Sequence, residues 1–344
     1  MTQIAVPRQA IAAAARSLAH AARWQDAAAL LAAAPPEDPV LALTAAQVAI
    51  EADWFAGTAT ATDPLATATR LATGLDDAGR WDLAFAQLRH WYRTALTAIG
   101  PEVTVDEVRR RAAELSGSAP DTVRRGWAEM YRGLIADNLL GESDTAPAHY
   151  TAALAAGTGD PSAAGDGDPL AFEAGDPLLA REALRHLGGH DHDRGDHVSA
   201  GDRWRRATEL GAAGGNVPGT LSQQLLLALL ARTTGDEQGA VTLAGEIARW
   251  ASAIGATSLA AQAAAFIAGV EPTAPPPGTA QDTAAAAPAA AAGPPATAGP
   301  RPATTAPVAA TGALPPGAAV PLGDAASAVA VPFMTAPLAT TPRQ

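Results

Sequence analysis

Arg181–Gly214 reads REALRHLGGHDHDRGDHVSAGDRWRRATELGAAG, and the fold turns on its pattern. Leu184, Leu187 and Gly188 fall at helical spacing on one face. Gly195-Asp196 then interrupts the pattern: glycine tolerates turn geometry, and the Asp side chain can cap a following helix. Ala200, Trp204 and Ala207 repeat at i, i+4 and i+7, the spacing of one buried stripe on a second helix. Gly188, Ala200 and Ala207 are small enough to let two helix backbones approach closely, while Trp204 fills the wider gap. The stretch therefore predicts two antiparallel helices joined by a Gly-Asp turn.

The same frame fits other windows more weakly. In Trp127–Asp160, Gly141 falls on the turn, and Ala146, Tyr150 and Ala153 form the second stripe. In Leu221–Ile254, Gly235-Asp236 is the turn, followed by Ala240, Ala244 and Ile247. In Leu65–Ala98, Gly79 precedes Arg80-Trp81, then Ala84, Leu88 and Trp91. Near the start, Ala22-Arg23-Trp24 precedes Ala27, Leu31 and Ala34. No run alternates as a half-buried strand would. These windows predict an all-α array of helical hairpins, with extra helices accounting for the uneven spacing.

The hairpin resembles the tetratricopeptide repeat (TPR), with Leu187-Gly188, Ala200, Trp204 and Ala207 at the matching positions. Leu184 stands where that family has Trp, Asp191 where it has Tyr, and Ala212 where it has Pro. The resemblance implies a TPR-like α-α superhelix, a solenoid whose first helices line a concave groove for a partner peptide or helix. By the same resemblance the groove-facing positions are Tyr131, Ile135 and Asn138 in one unit. Arg185, His192 and Asp193 follow in the next, and Leu225, Leu229 and Arg232 in the last. This set differs from the family's clamp for a C-terminal carboxylate, since the chain has no Lys and Ile135 replaces the expected Asn.

Composition sets the outer bounds. Of 344 residues, those beyond Glu271 are mostly Ala, Pro, Thr and Gly, with only Asp282, Arg301, Asp324 and Arg343 charged. Such a segment buries too little apolar surface to offset its ordering entropy, so 271–344 is expected to be a disordered tail. Residues 3–270 form the expected helical domain, and 157–176, with three Gly-Asp-Pro triplets in or at its end, reads as a mobile insertion. The tail charges cancel, which leaves the formal net charge of −12 on the domain. An acidic surface of this kind argues against nucleic-acid and anionic-membrane partners. Absence of Cys excludes disulfides and thiolate chemistry, and absence of Lys excludes Schiff-base chemistry and a P-loop lysine. The apolar run Ala10–Ala15 is short for a signal peptide, and no uninterrupted stretch reaches the ~18 residues of a membrane helix. The expectation is a cytoplasmic protein.

One cluster invites a chemical reading: His190-Asp191-His192-Asp193-Arg194-Gly195-Asp196-His197. His186 and His190 share a helix face at i, i+4, and with His192 and Asp196 they would be the ligands of a metal-dependent hydrolase. Against this, consecutive residues on a helix diverge, and an inter-helix turn naturally collects Asp, His and Gly. The EF-hand pattern fails because Gly195 comes one residue early and Asp202 occupies the closing Glu position. The seven Trp residues, 24, 54, 81, 91, 127, 204 and 250, suit packing against helices better than base stacking. The leading expectation is a non-enzymatic protein-binding scaffold without cofactor or bound metal. A metal-dependent hydrolase, or a regulatory module acting with a separate catalytic or DNA-binding chain, stands as the alternative.

Overall fold

Many helix starts in this chain are set by short polar side chains. Asp38 accepts from the backbone N–H groups of Val40 and Leu41, at 2.9 and 3.1 Å, with Pro39 in the first helical position. Asp176-Pro177 repeats that device, and Asn216, Asp196 and Asp236 cap through the N–H three residues on. A computed structural model describes residues 6–97, 103–159 and 175–269. Thirteen α-helices and no strand lie among the described residues: α1 (Arg8–His20), α2 (Trp24–Ala32), α3 (Pro39–Ala56), α4 (Thr62–Arg70), α5 (Asp77–Thr97), α6 (Val105–Gly117), α7 (Thr122–Ile135), α8 (Ala146–Thr158), α9 (Pro177–Asp193), α10 (His197–Ala213), α11 (Val217–Thr234), α12 (Glu237–Ala253) and α13 (Thr257–Ile267). A short 3-10 turn (Ala72–Gly74) precedes α5, and a π turn (Ala136–Leu140) prolongs α7.

Each helix packs against the next, and the odd-numbered helices also touch one another: α1 with α3, α3 with α5, α5 with α7, α7 with α9, and α11 with α13. Helix α13 also packs on α3. Its Thr257 Oγ1 donates to the Ala56 carbonyl at 2.6 Å. One core accordingly joins Ala12, Ala15 and Trp24 of the first two helices to Trp204, Leu225, Ile247 and Leu259 of the last four.

The predicted hairpin is α9–α10. Trp204 is fully buried, and its indole N–H donates to the Arg185 carbonyl at 2.8 Å. Gly188 is where the two helices meet: a Cβ there would lie 2.5 Å from Trp204 Nε1. Ala200 and Ala207 are likewise fully buried, as are Tyr150 and Ala153 in α8 and Ala240 and Ala244 in α12.

Three details differ from the expectation. Gly79 and Arg80 lie inside α5, because Asp76 caps the helix two residues earlier by accepting the Gly79 N–H at 2.7 Å. Gly157 and Thr158 belong to α8 rather than to a loop; Gly157 is the point of closest approach to α9, where a Cβ would meet the Ala180 N at 2.6 Å. Trp250 does not pack in the core: it is 51% exposed, with the Arg249 guanidinium 5.2 Å from its ring centre. The rest of the expected insertion, 160–174, and the expected tail, 271–344, lie outside the described residues.

Candidate functional site

The odd-numbered helices turn one side toward a common cavity of about 900 Å³, and all seven of them contribute to its lining. Two walls differ in chemistry. Trp54 of α3, Trp81, Phe85 and Tyr92 of α5, and Trp127 and Tyr131 of α7 make an aromatic wall. Phe85 stacks on Trp81 with centroids 5.2 Å apart and meets Tyr131 edge-on at 5.1 Å, while Tyr92 meets Tyr131 edge-on at 5.5 Å. The π turn after α7 brings Asn138 into the same wall, where its Nδ2 donates to the Tyr92 hydroxyl at 2.8 Å.

The other wall is charged. Arg181, Glu182, Arg185 and His186 occupy the inner side of the first half of α9, with Glu51 of α3 and Arg89 of α5 adjoining them. Arg181 is 4% exposed, pairs with Glu182, and holds its guanidinium against Gly219 of α11, where a Cβ would lie 2.1 Å from Nη1. Arg185 Nη1 donates to Ser222 Oγ at 2.7 Å, and Arg89 Nε donates to the Tyr131 hydroxyl at 3.3 Å. Three buried polar atoms of the lining make no hydrogen bond among the described residues: Arg181 Nε, Glu51 Oε1 and Gln262 Oε1.

Burial dominates the titration of these groups. It pushes the Glu51 carboxyl up, despite the opposing pull of His20, Arg89 and Arg181. It also pushes Glu182 up, but Arg181, Arg185, His186 and Arg89 together hold that carboxyl below its ordinary value. Burial brings Arg185 down to about 10, and burial aided by Arg185 brings His186 down to about 4. At neutral pH a charged Arg185 thus stands beside a neutral His186 imidazole. Elsewhere in the lining Arg124 is neutralised by Asp82, at 2.7 and 2.8 Å, and by Asp121.

Of the nine positions implied by the TPR resemblance, Tyr131, Asn138 and Arg185 line the cavity. The other six are not brought to it. Ile135 is 1% exposed and packs with Leu88 and Val108, and Leu225 is fully buried in the shared core. Leu229 packs beside Ala228 and Ala240, and Arg232 lies over the Phe266 ring at 3.5 Å and pairs with Glu237 at 2.7 Å. His192 contacts the Trp204 ring and Thr233, and Asp193 is exposed at the turn. The residues missed were Glu51, Arg89, Arg181 and Glu182. For Glu51, Arg181 and Glu182 the signal was charge embedded in apolar helical runs, VAIEADW and LLAREALRHL.

The His/Asp cluster is dispersed. His186 stacks on Tyr150 at 5.0 Å, and His190 Nε2 lies 3.0 Å from Asp137, which also accepts from the Tyr150 hydroxyl at 2.6 Å. His192 turns to Trp204, and Asp196 caps α10 by accepting the Ser199 N–H at 3.1 Å. No three His, Asp or Glu side chains gather as metal ligands among the described residues. A second depression of about 980 Å³, between α2, α3 and α4, is mainly apolar, and its Arg23 and Asp26 pair with each other at 2.7 Å.

Comparison with protein-family models, curated proteins and solved structures finds no match. No helix among the described residues is long and apolar enough to cross a membrane.

Proposed function

We propose that the chain is a non-enzymatic binding module, a TPR-like superhelix of helical hairpins, which takes a short segment of another protein into the cavity between its inner helices. The observation that carries this reading is the convergence of all seven odd-numbered helices on one cavity with an aromatic and a charged wall. Its volume of about 900 Å³ lies at the upper end of the ~300–1,000 Å³ range of small-ligand pockets. That size favours a compact, extended segment over a whole partner helix, and it equally suits a small molecule. On the second reading the module senses a metabolite and reports it to a separate chain. Scattered His and Asp side chains, each tied to packing or capping, favour binding over hydrolysis.

Selection of displayed random heptapeptides on the full chain tests the proposal. The native chain should enrich a consensus, and Tyr131→Ala or Leu134→Trp, which empty or fill the cavity, should abolish the enrichment at unchanged helicity. Equal enrichment by the native chain and both variants would overturn it.

A further inference from the structure

We propose that the cavity selects an organic anion, a carboxylate carried on an aromatic body, with Arg181 and Arg89 receiving the carboxylate and the α5–α7 rings receiving the body. This rests on the cavity being the binding site and specifies what it binds.

Charge is the first argument. Three guanidinium groups (Arg89, Arg181, Arg185) gather with two carboxylates (Glu51, Glu182) on one wall, while Arg124 elsewhere in the lining is held by Asp82 and Asp121. Glu51 feels both Arg89 and Arg181, and Glu182 feels all three arginines, so the five groups share a field. Burial also pushes Glu51 toward its neutral form, which widens the positive excess. Buried charge is costly unless paired and hydrogen-bonded, so an arginine in excess inside a cavity calls for an anion. Over the whole lining five arginines meet five carboxylates, so the positive excess is local to this wall, and it suits a monoanionic carboxylate better than a phosphate dianion.

Donor geometry is the second. Arg181 is 4% exposed, Glu182 engages Nη2, and Nε stays buried without an acceptor. Nε–H is therefore a charged donor without an acceptor, and a carboxylate oxygen beside Glu182 would supply one. Gly219 holds this Arg in place, because any side chain there would displace Nη1. On the same wall, Glu51 Oε1 is buried and unpartnered, an acceptor for a polar hydrogen of the ligand.

The third is the body of the ligand. Phe85, Tyr92 and Tyr131 already pair edge-to-face beside Arg89, and Arg89 Nε touches the Tyr131 hydroxyl at 3.3 Å. A ring joined to a carboxylate by a short linker would continue that packing while its charged end meets arginine. The chemistry is shared by a free aryl acid and by a Glu side chain next to Phe in a peptide.

The test uses the full chain, read by titration calorimetry and by emission of the cavity tryptophans Trp54, Trp81 and Trp127. The probes are 4-phenylbutyrate, its neutral counterpart 4-phenylbutanol, and the capped peptides acetyl-Leu-Phe-Glu-Leu-amide and acetyl-Leu-Phe-Gln-Leu-amide. The acid of one pair should bind about tenfold or more tighter than its neutral partner, as a charge-assisted bond predicts. The pair that shows this identifies the source. Arg181→Gln and, independently, Arg89→Gln should collapse the preference to about threefold or less, whereas Arg124→Gln should preserve it. Equal binding of acid and neutral partner, or a preference that survives both arginine variants, would overturn the anion inference and leave the cavity reading standing. Failure of all four probes while displayed peptides still select would do the same. Failure of the probes together with failure of peptide selection would overturn both.

Discussion

From α10 onward the chain turns at fixed intervals, while its first half does not. Gly195, Gly215, Gly235 and Gly255 stand twenty residues apart, each at positive φ between one helix and the next. The helices between them are nearly equal in length, and their contacts are made by alanines without exposed area, such as Ala200, Ala207, Ala228 and Ala244. In the first half the turns fall unevenly, helices range from nine residues to twenty-one, and a cluster of rings around Trp81, Tyr92 and Tyr131 fills the space. Small side chains permit equal helices at close, repeated approach; bulky rings demand irregular lengths to accommodate them. The cavity draws on both halves. Its rings come mainly from the irregular half, while α9, which leads into the regular one, adds the buried charges Arg181, Glu182 and Arg185.

The contrast is broken most severely at Trp204, the one large ring inside the alanine seam. Trp204→Ala leaves a void between α9 and α10, and the expected loss is about 3–5 kcal/mol, measured by urea unfolding. A loss under about 1 kcal/mol would mean that the seam can collapse around the gap. Next comes His186, at the charged wall. Its imidazole is held neutral in the fold, down to about 4, whereas in the unfolded chain it protonates near 6.5. Between those values the unfolded state binds the extra proton. This contribution to stability is therefore complete above about pH 6.5 and declines as pH falls toward 4, with a slope of at most about 1.4 kcal/mol per pH unit. His186→Gln should flatten the stability profile over that window; an unchanged slope would show that His186 is not the group responsible. The smallest effect is expected at Ala22, which holds φ +60° where the regular turns place glycine. Left-handed backbone costs a non-glycine residue about 1–2 kcal/mol, and loss of a buried methyl offsets roughly 0.8 kcal/mol of the gain. Ala22→Gly should raise the melting temperature by a few degrees or less, and a clear fall would refute the strain.

Residues 181–214 disclosed their hairpin because turn, capping Asp, small residues and one ring all fall on consistent positions. The same logic placed Tyr150, Ala153, Ala240 and Ala244 in buried seams. It misjudged Gly79, since a capping Asp three residues upstream outranks a single glycine inside a helix. The twenty-residue spacing of glycines was equally visible and bears on the resemblance: two such steps make a unit of forty residues, longer than the thirty-four of a tetratricopeptide repeat. The cavity is lined by the earlier residues of α9 and α11 (Arg181, Glu182, Arg185, His186, Gly219 and Ser222), so His192, Asp193, Leu225, Leu229 and Arg232, further along those helices, lie away from it. Tyr131 and Asn138 were placed on the inner side because α7 faces the cavity along its whole length, into the π turn. The association of Glu51 and Arg89 with Arg181 was out of reach, since it depends on helices separated by much of the chain.

The contact of α13 with α3 changes how such an array responds to damage. In an open stack a terminal hairpin touches one neighbour, so fraying or truncation there removes a single interface and the remainder persists. Here the last helix is bound on two sides, to α12 and to α3, and the first helices share its core. Shortening the domain at either extremity would therefore strip apolar surface from the opposite extremity as well. Melting should consequently proceed as one all-or-none event instead of a progressive unravelling inward from the ends.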